Sequence, residues 1–315
     1  MIVRLLSGVA KRLLAAVVVM VGAATLAFGA LHLIPGDQVS ILLGPNSAAS
    51  PEVRAQIRSD YGFDRPLVVQ YAQYLSNVVR GRLGESYQQN QPVSALIGGQ
   101  VWPTLQLAAA ALGLALVIAA VSAVATAGRR PAWRSLASAW ELVAVSTPAF
   151  WTGLLLLTAF SFQLHVFPVA GAQDLRSLVL PALALALSLA GVLGQVLREG
   201  LETALRQPFA TTARARGLSQ LAVTTRHAFR HAAVPLLTLA GWLTGTLVGG
   251  VVAVETVFGR PGIGALILLA VSTKDMPVVM GIVLLCGLIF VVTSLLVDLL
   301  AVVVDPRLRA EAVAV

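Results

Sequence analysis

The chain has 315 residues, of which 57% are hydrophobic and only 11% are charged. Soluble domains carry about 25% charged residues, so this composition excludes an ordinary water-soluble protein and indicates a membrane protein. The single cysteine, Cys286, excludes an intrachain disulfide. The net charge of +8 is more typical of membrane topology than of nucleic-acid binding here. The arginines are dispersed, and no aromatic residues are interleaved with them as they are in nucleic-acid sites.

Several apolar runs are long enough to cross a bilayer core, which takes about 20 helical residues. The first follows Arg4, Lys11 and Arg12 and resembles a signal peptide, but its length favours an uncleaved anchor. Pro148 is expected to kink the third run, and a proline opens each of the last two. We predict an all-α polytopic fold with six transmembrane helices, at residues 13–33, 104–127, 135–163, 177–197, 235–257 and 277–304.

The distribution of charge predicts the orientation of these helices. With the N-terminus in the cytoplasm, the inner side holds fourteen basic and four acidic residues, whereas the outer side holds eight basic and seven acidic residues. Loops rich in Lys and Arg stay inside. Both termini are therefore predicted to be cytoplasmic.

The long hydrophilic segment between the first two spans predicts a helical extracytoplasmic subdomain. Ser50 can cap a helix that opens at Pro51, and a second helix is expected over residues 66–79. One face of that helix is expected to pack on the membrane domain through Leu67, Tyr71, Tyr74, Leu75 and Val78. The predicted division of the chain is a segment with the first span (1–34), the subdomain (35–103), a five-helix core (104–305) and a tail (306–315).

The inner segment at residues 198–234 carries six of the fourteen inner basic residues. Residues 210–216 predict a short helix whose alanines leave little side chain between its backbone and a partner. Gly217 is expected to end this helix and Ser219 to cap the next one. Such a helix could dock in a groove on another protein, or it could lie on the membrane with its arginines on lipid phosphates. Composition does not choose between the two.

Acidic residues inside a membrane are costly, so Glu141, Asp298 and Glu255 should face protein, water or headgroups. Glu255, with Phe258 beside it, lies at the outer mouth of the fifth span and is a candidate for the translocation pathway or outer gate. Small residues let another helix approach closely. They recur every fourth residue in the fifth span, at Gly241, Gly245 and Gly249.

The sequence contains no nucleotide-binding loop, since its only lysines are Lys11 and Lys274 and neither follows the required glycines. His227 and His231 are four residues apart, but no Glu or Cys completes a metal site. We therefore predict no metal, no cofactor and no catalytic residue in this chain. A transporter of this kind would need ATP to bind elsewhere.

Several short stretches, in this order, resemble the first permease subunit of ATP-binding-cassette importers of the dipeptide, oligopeptide and nickel class. The resemblance spans nearly the whole chain. The matching residues are 33–37 (LIPGD), 61–67 (YGFDRPL), 84–86 (GES), 211–219 (TTARARGLS), His227 and Arg230 ahead of Pro235, 255–258 (ETVF), 261–264 (PGIG), Asp275 with Pro277, and 305–307 (DPR).

The resemblance implies that Ala213 to Gly217 belong to a coupling helix that docks on an ATPase subunit. The chain departs from the pattern at Thr211 and Thr212, where importers have Glu-Ala. It also has Arg82 where the family often has an acid, and His231 where Asn is common. The residues assigned to coupling are Ala213, Arg214, Ala215, Arg216, Gly217, Leu218 and Ser219.

The family implies an importer subunit that forms half of an alternating-access pathway for di- or oligopeptides. Its partners would be a second permease, two cytoplasmic ATPase subunits that bind ATP and Mg, an extracytoplasmic binding protein and membrane lipid, with no nucleic acid. The location would be the cytoplasmic membrane of a bacterium or archaeon. Nickel chelate, haem or another small solute is the alternative cargo. Outside this class, an ion-coupled secondary transporter using Glu141 or Asp298, or a membrane docking anchor, stays open.

Overall fold

The computed structural model describes residues 2–33, 38–43 and 49–304 of the protein, and most of these residues are helical. That part contains no β-strand, and its one isolated antiparallel bridge joins Glu85 to Pro92. The predicted all-α fold is confirmed. The helices are α1 (Ile2–Leu33), α2 (Gln38–Leu43), α3 (Pro51–Asp60), α4 (Leu67–Val79), α5 (Val93–Thr126), α6 (Pro131–Ser146), α7 (Ala149–Leu156), α8 (Arg176–Leu205), α9 (Pro208–Ala215), α10 (Gln220–Ala222), α11 (Phe229–Val257), α12 (Ile263–Ser272) and α13 (Met276–Val304).

Two π-helical turns extend this set: Leu157–Gln163 continues α7, and Val223–Ala228 joins α10 to α11. Most of the motif at residues 33–37, the motif at 305–307 and the predicted tail at 306–315 lie outside the described residues. The side chain of Asp298 also lies outside the described part of the chain.

Three described helices are long and apolar enough to cross a membrane: α5, α8 and the Met276–Leu296 part of α13. Two further spans result if each of two bent pairs counts as one. In the first pair α6 meets α7 and its π-turn at 99°, and in the second α11 bends by 62° between Gly245 and Gly249. Helix α1 contributes a shorter apolar stretch, Leu14–Ala30. The count of six spans and the cytoplasmic termini stay predictions.

Prolines behave differently from the sequence expectation at three places. Pro148 produces a corner of 99° instead of a kink, because Thr147 before it is extended (φ −91°, ψ 120°). Pro235 lies inside α11, which begins at Phe229 instead of opening at the proline. Pro103 lies inside α5, so the predicted boundary at residues 103 and 104 falls within one continuous helix. Neighbouring helices allow prolines inside transmembrane helices.

The N-terminal subdomain forms both of its predicted helices. Ser50 caps α3, as the Ser-Pro pair predicted. On α4 the rings of Tyr71 and Tyr74 lie 5.3 and 5.9 Å from the ring of Phe28 on α1. The face predicted to pack therefore contacts the first membrane helix through its tyrosines, while Leu67 at its start is 56% exposed.

Helix α8 is the centre of the bundle. In the most apolar 18-residue stretch of α8, 67% of the residues are buried, whereas the corresponding stretches of α5 and α13 are 28% and 22% buried. The α5 surface against α8 consists of small side chains, and a Cβ at Gly194 of α8 would lie 3.8 Å from the Ala119 backbone. Small residues let helix backbones approach where lipid provides no hydrophobic drive for association. The fully buried alanines of α5 recur every fourth residue, at Ala111, Ala115, Ala119 and Ala123.

A buried ion pair joins α6 to α8. Arg198 donates from Nε to Glu141 Oε1 at 3.1 Å, from Nη2 to Glu141 Oε2 at 2.5 Å, and from Nη2 to Ser138 Oγ at 3.1 Å. A second pair, Arg134 with Glu202 at 3.0 Å, lies nearer the surface. The expectation that Glu141 faces protein is met, because Arg198 neutralises its charge.

Breaking the inner pair should destabilise the protein strongly. Arg198→Met leaves the Glu141 carboxylate buried and unpaired, which costs about 3–5 kcal/mol. The double variant Glu141→Leu/Arg198→Met should recover most of that loss. The measurement is unfolding in detergent followed by circular dichroism.

Arg134→Gln is the matched control, because the Arg134 side chain is 46% exposed. Its loss should stay below about 1 kcal/mol. Equal losses for Arg134→Gln and Arg198→Met would contradict the assigned role of the inner pair.

Candidate functional site

The short helix α9 lies at the end of the bundle where α8 finishes and α11 begins. Two of its alanines, Ala210 and Ala213, are 0% and 7% exposed and pack into the bundle core. The sequence suggested an alanine-lined docking face, but these two alanines instead attach α9 to the bundle. Its outward residues are Thr211, Thr212 and Ala215, followed by Arg216.

Arg214 holds α9 in place. Its Nη2 donates to the Leu205 carbonyl oxygen and its Nε to Gln220 Oε1, each at 3.2 Å. Gly217 then reverses the chain with φ +85°, a conformation that favours glycine. Ser219 caps α10. The predicted helix, its end at Gly217 and the cap at Ser219 are all present. The side chain of Arg214 bonds within the segment and to α8 and does not extend freely into solvent.

The surface around α9 is basic. Residues 203–234 contain no Asp or Glu. His231 stacks on Phe209 with ring centroids 4.9 Å apart, and His227 is exposed. No group of three potential metal ligands occurs in the described part of the chain. The exposed arginines of this stretch are Arg206, Arg214, Arg216, Arg226 and Arg230.

At the opposite end of the bundle, Glu255 caps the N-terminus of α12. Its carboxylate is fully buried and accepts hydrogen bonds from Thr104 Oγ1 (2.7 Å), Gly264 N (2.8 Å) and Ala265 N (3.1 Å). Thr104 Oγ1 in turn accepts from Ile263 N at 2.8 Å. The free N–H groups of a helix start favour a negative charge there. Glu255 therefore joins α5, α11 and α12.

The sequence assigned Glu255 and Phe258 to the pathway or outer gate, but the structure buries both side chains, at 0% and 3% exposure. Phe258 packs over Gly153 of α7, where a Cβ would lie 3.1 Å from its ring. Gly262 is close to the Glu255 carboxylate, and any Cβ there would collide with it. Phe258 is enclosed by neighbouring helices, whereas Glu255, although buried, also contributes to the wall of an open hollow with Thr256, Gly259 and Arg260. The assignment of these two residues to the pathway or outer gate stays a prediction.

A second buried acid, Asp275, ties the subdomain to the turn between α12 and α13. It accepts hydrogen bonds from the Ser86 hydroxyl, from Tyr87 N (3.1 Å) and from Gln88 N (3.4 Å). Gln88 Nε2 also donates to the Thr273 carbonyl oxygen at 3.2 Å. We call this contact the Asp275 junction. Sequence reasoning recognised its two motifs separately and missed their contact, since 189 residues separate Ser86 from Asp275.

The glycine stripe of α11 meets different surroundings along its length. At Gly245 a Cβ would lie 3.2 Å from the ring of Phe290 on α13, so this glycine permits close packing. At Gly249 nothing lies within 4 Å of that position. Gly241 is intermediate in exposure. Close contact within this chain is therefore seen at Gly245 and not at Gly249.

Comparison with known proteins matches almost the whole chain. Residues 115–310 match the family described as binding-protein-dependent transport system inner membrane component, and residues 5–108 match the one described as its membrane component, N-terminal part. The chain belongs to this family.

Relatives match over nearly their full length. A putative peptide transport system permease protein of Brucella abortus is 37% identical over 96% of this chain and 98% of its own. A putative peptide permease protein of Brucella ovis is 38% identical over 95% of this chain and 97% of its own. The glutathione transport system permease protein GsiC of Salmonella paratyphi A is 35% identical over 97% of this chain and 99% of its own.

A solved structure shows the same fold. The MetNI methionine ABC transporter, in an inward-facing conformation, has a chain that is 19% identical, with a TM-score of 0.56 over 67% of this chain and 96% of its own. The family match and the relatives together show that the protein is a permease component of an ABC importer, an integral membrane protein that works with other subunits. ATPase activity lies in separate subunits. Family membership therefore excludes the ion-coupled transporter and the docking anchor.

The Glu255 cap predicts a marked effect for a small change in α5. Thr104→Val keeps the shape of the side chain but removes the donor to Glu255 and the acceptor for Ile263 N. An unsatisfied buried polar group costs about 1–3 kcal/mol, so the free energy of unfolding in detergent should fall by that amount.

Thr158→Val is the control for this substitution, because its hydroxyl only bonds the Leu154 carbonyl oxygen on an exposed helix face. It should change stability by no more than about 0.5 kcal/mol. If Thr104→Val is equally mild, the cap does not hold the three helices together.

Proposed function

We propose that this permease forms half of the translocation pathway of an importer of di- or oligopeptides. The assembly would contain a second permease, two cytoplasmic ATPase subunits and an extracytoplasmic binding protein. It would lie in the cytoplasmic membrane of a bacterium or archaeon, with α9 on the cytoplasmic side. The observation that carries the cargo assignment is the near full-length similarity to permeases named for peptide transport. The glutathione relative agrees with it, since glutathione is a tripeptide.

The geometry of α9 supports a coupling role for residues 213–219. Ala210 and Ala213 attach α9 to the bundle core, and Arg214 ties it to the last turn of α8. The same segment continues through α10 and the π-turn into α11. A push on the outward face of α9 would therefore reach both α8 and α11. Closure of the ATPase pair on ATP would supply that push and switch access to the pathway, and ATP hydrolysis would reset it.

The charge of this segment indicates the chemistry of its partner surface. Thr211 and Thr212 are exposed where importers of the general pattern have Glu-Ala, and Arg216 is exposed one turn later. With no acid in residues 203–234, the complementary ATPase groove would present carboxylates. Electrostatic complementarity of this kind fixes register and suppresses wrong partners.

Gly217→Pro should uncouple the transporter. Proline fixes φ near −65°, whereas Gly217 has φ +85° and its N–H donates to the Arg214 carbonyl oxygen at 2.9 Å. We expect peptide uptake by liposomes that contain the whole complex to fall at least about tenfold, since the turn after α9 cannot form.

Gly217→Asn is the matched control, because Asn tolerates the left-handed region and nothing lies within 4 Å of the Cβ position. It should retain most of the uptake. Normal ATP-dependent uptake by an assembled Gly217→Pro complex would refute the coupling role of this segment.

Arg216→Glu tests whether the exposed arginines face protein or lipid. If the ATPase groove is acidic, charge reversal should lower the amount of ATPase that co-purifies with the permease, most strongly at low salt. Arg80→Glu, in the exposed turn after α4 at the other end of the bundle, is the control. Unchanged co-purification would assign Arg216 to lipid phosphates instead.

A further inference from the structure

A cavity of about 220 Å³ lies between the end of α1, the subdomain and the start of α13. It is on the side of the bundle that holds the Asp275 junction, because Met276 and Pro277 form one of its walls. We call it the tyrosine pocket. Its aromatic walls are the rings of Phe28, Tyr61, Phe63, Tyr74 and Tyr87.

Three exposed polar side chains of the tyrosine pocket have no protein partner. The side-chain amides of Gln73 and Asn77 and the guanidinium of Arg82 line it, and none of them makes a hydrogen bond or ion pair within the described part of the chain. The Tyr74 hydroxyl is buried without a partner. Burial raises the pKa of Tyr74 to about 12, so its hydroxyl remains a donor at physiological pH.

The charge of the pocket selects against cations. No Asp or Glu occurs among the described residues that line it, and Arg82 is its one permanent cation. An arginine in this place is suited to a carboxylate, which it can bind through two parallel hydrogen bonds.

The size of the pocket limits its ligand. At about 220 Å³ the cavity is smaller than the roughly 300–1,000 Å³ of pockets that take drug-sized molecules. Aromatic walls favour an apolar or ring-bearing side chain. Side-chain amides suit a peptide group. A short peptide that ends in a carboxylate satisfies all three requirements.

We propose that the tyrosine pocket binds the carboxylate end of a dipeptide-sized ligand directly on the permease. Arg82 pairs with the terminal carboxylate, Asn77 and Gln73 bond the peptide group, and the rings enclose the side chain. The proposal rests on the peptide cargo inferred above. It adds to that function a reception site separate from the binding protein.

The pocket is linked to the bundle through one of its own walls. Tyr87 is a wall residue, and its backbone N–H donates to Asp275. A ligand against Tyr87 therefore lies next to the contact that fixes the turn between α12 and α13. Occupancy of the pocket would stabilise the Asp275 junction.

The experiment uses the complete membrane complex with its ATPases, without binding protein, in phosphatidylcholine nanodiscs. Equilibrium dialysis measures the binding of labelled alanyl-phenylalanine at millimolar concentration, and of the same peptide with a C-terminal amide. The free acid should bind at least tenfold more tightly than the amide. Arg82→Gln should remove that preference, and Arg80→Gln, an exposed arginine outside the pocket, should keep it.

Each other result overturns the proposal: no binding of the free acid, equal binding of acid and amide, or equal effects of the two arginine variants. If Arg82→Gln fails to assemble, the acid and amide comparison on the unmodified complex still decides. Uptake with binding protein present is measured in parallel. Uptake without pocket binding refutes only the pocket, whereas loss of all ATP-driven peptide uptake in the unmodified complex refutes the peptide function.

Discussion

Close packing of helix backbones on α8 is the constraint on which the rest of the molecule depends. Lipid chains are as apolar as leucine, so association of helices inside a membrane gains little from hydrophobic burial. The bundle instead uses alanines at every fourth residue of α5 and the glycines of α8, of which Gly194 faces α5 and Gly191 faces α6. A Cβ at Gly191 would lie 2.8 Å from the Glu141 carbonyl oxygen, which shows how closely α6 also approaches.

Buried acids provide the specificity that apolar packing lacks. Glu141 meets Arg198 between α6 and α8, Glu255 meets the start of α12, and Asp275 meets the backbone after Ser86. A carboxylate inside a membrane protein is stable only where donors surround it. Each of these acids therefore allows one arrangement of its helices and penalises others. The Glu255 cap and the Asp275 junction hold the two ends of the short α12.

Local features could be predicted from the sequence, and long-range ones could not. The cap at Ser50 and the turn at Gly217 follow from residues within a few positions of each other, and both are present. The alanine stripe of α5 gave no signal, because that helix is apolar on all faces and periodicity does not reveal which face is buried. The same limit concealed α12, which reads as part of an apolar run. The contact of Ser86 with Asp275 depends on tertiary structure alone.

At the predicted coupling segment the sequence identified the helix, its end and the next cap, but not which side chains face the bundle. Alanine was expected to face a partner because it is small, yet Ala210 and Ala213 are small because they fit between α9 and the bundle. Arg214 likewise bonds the end of α8. What remains for a partner is the face with Thr211, Thr212 and Arg216, which only the register of the helix on the core could reveal.

One continuous stretch of chain connects the two ends of the molecule. It begins at α9, passes through the π-turn into α11, and ends at Glu255, whose carboxylate holds α12. A rigid α11 would transmit any displacement of α9 directly to α12. The bend of 62° between Gly245 and Gly249 divides it instead into two arms. A Cβ at Gly249 would meet nothing within 4 Å, so no neighbouring helix of this chain covers that side of the bend. On the proposed function, motion driven at α9 would have to pass through this bend to reach Glu255 and α12.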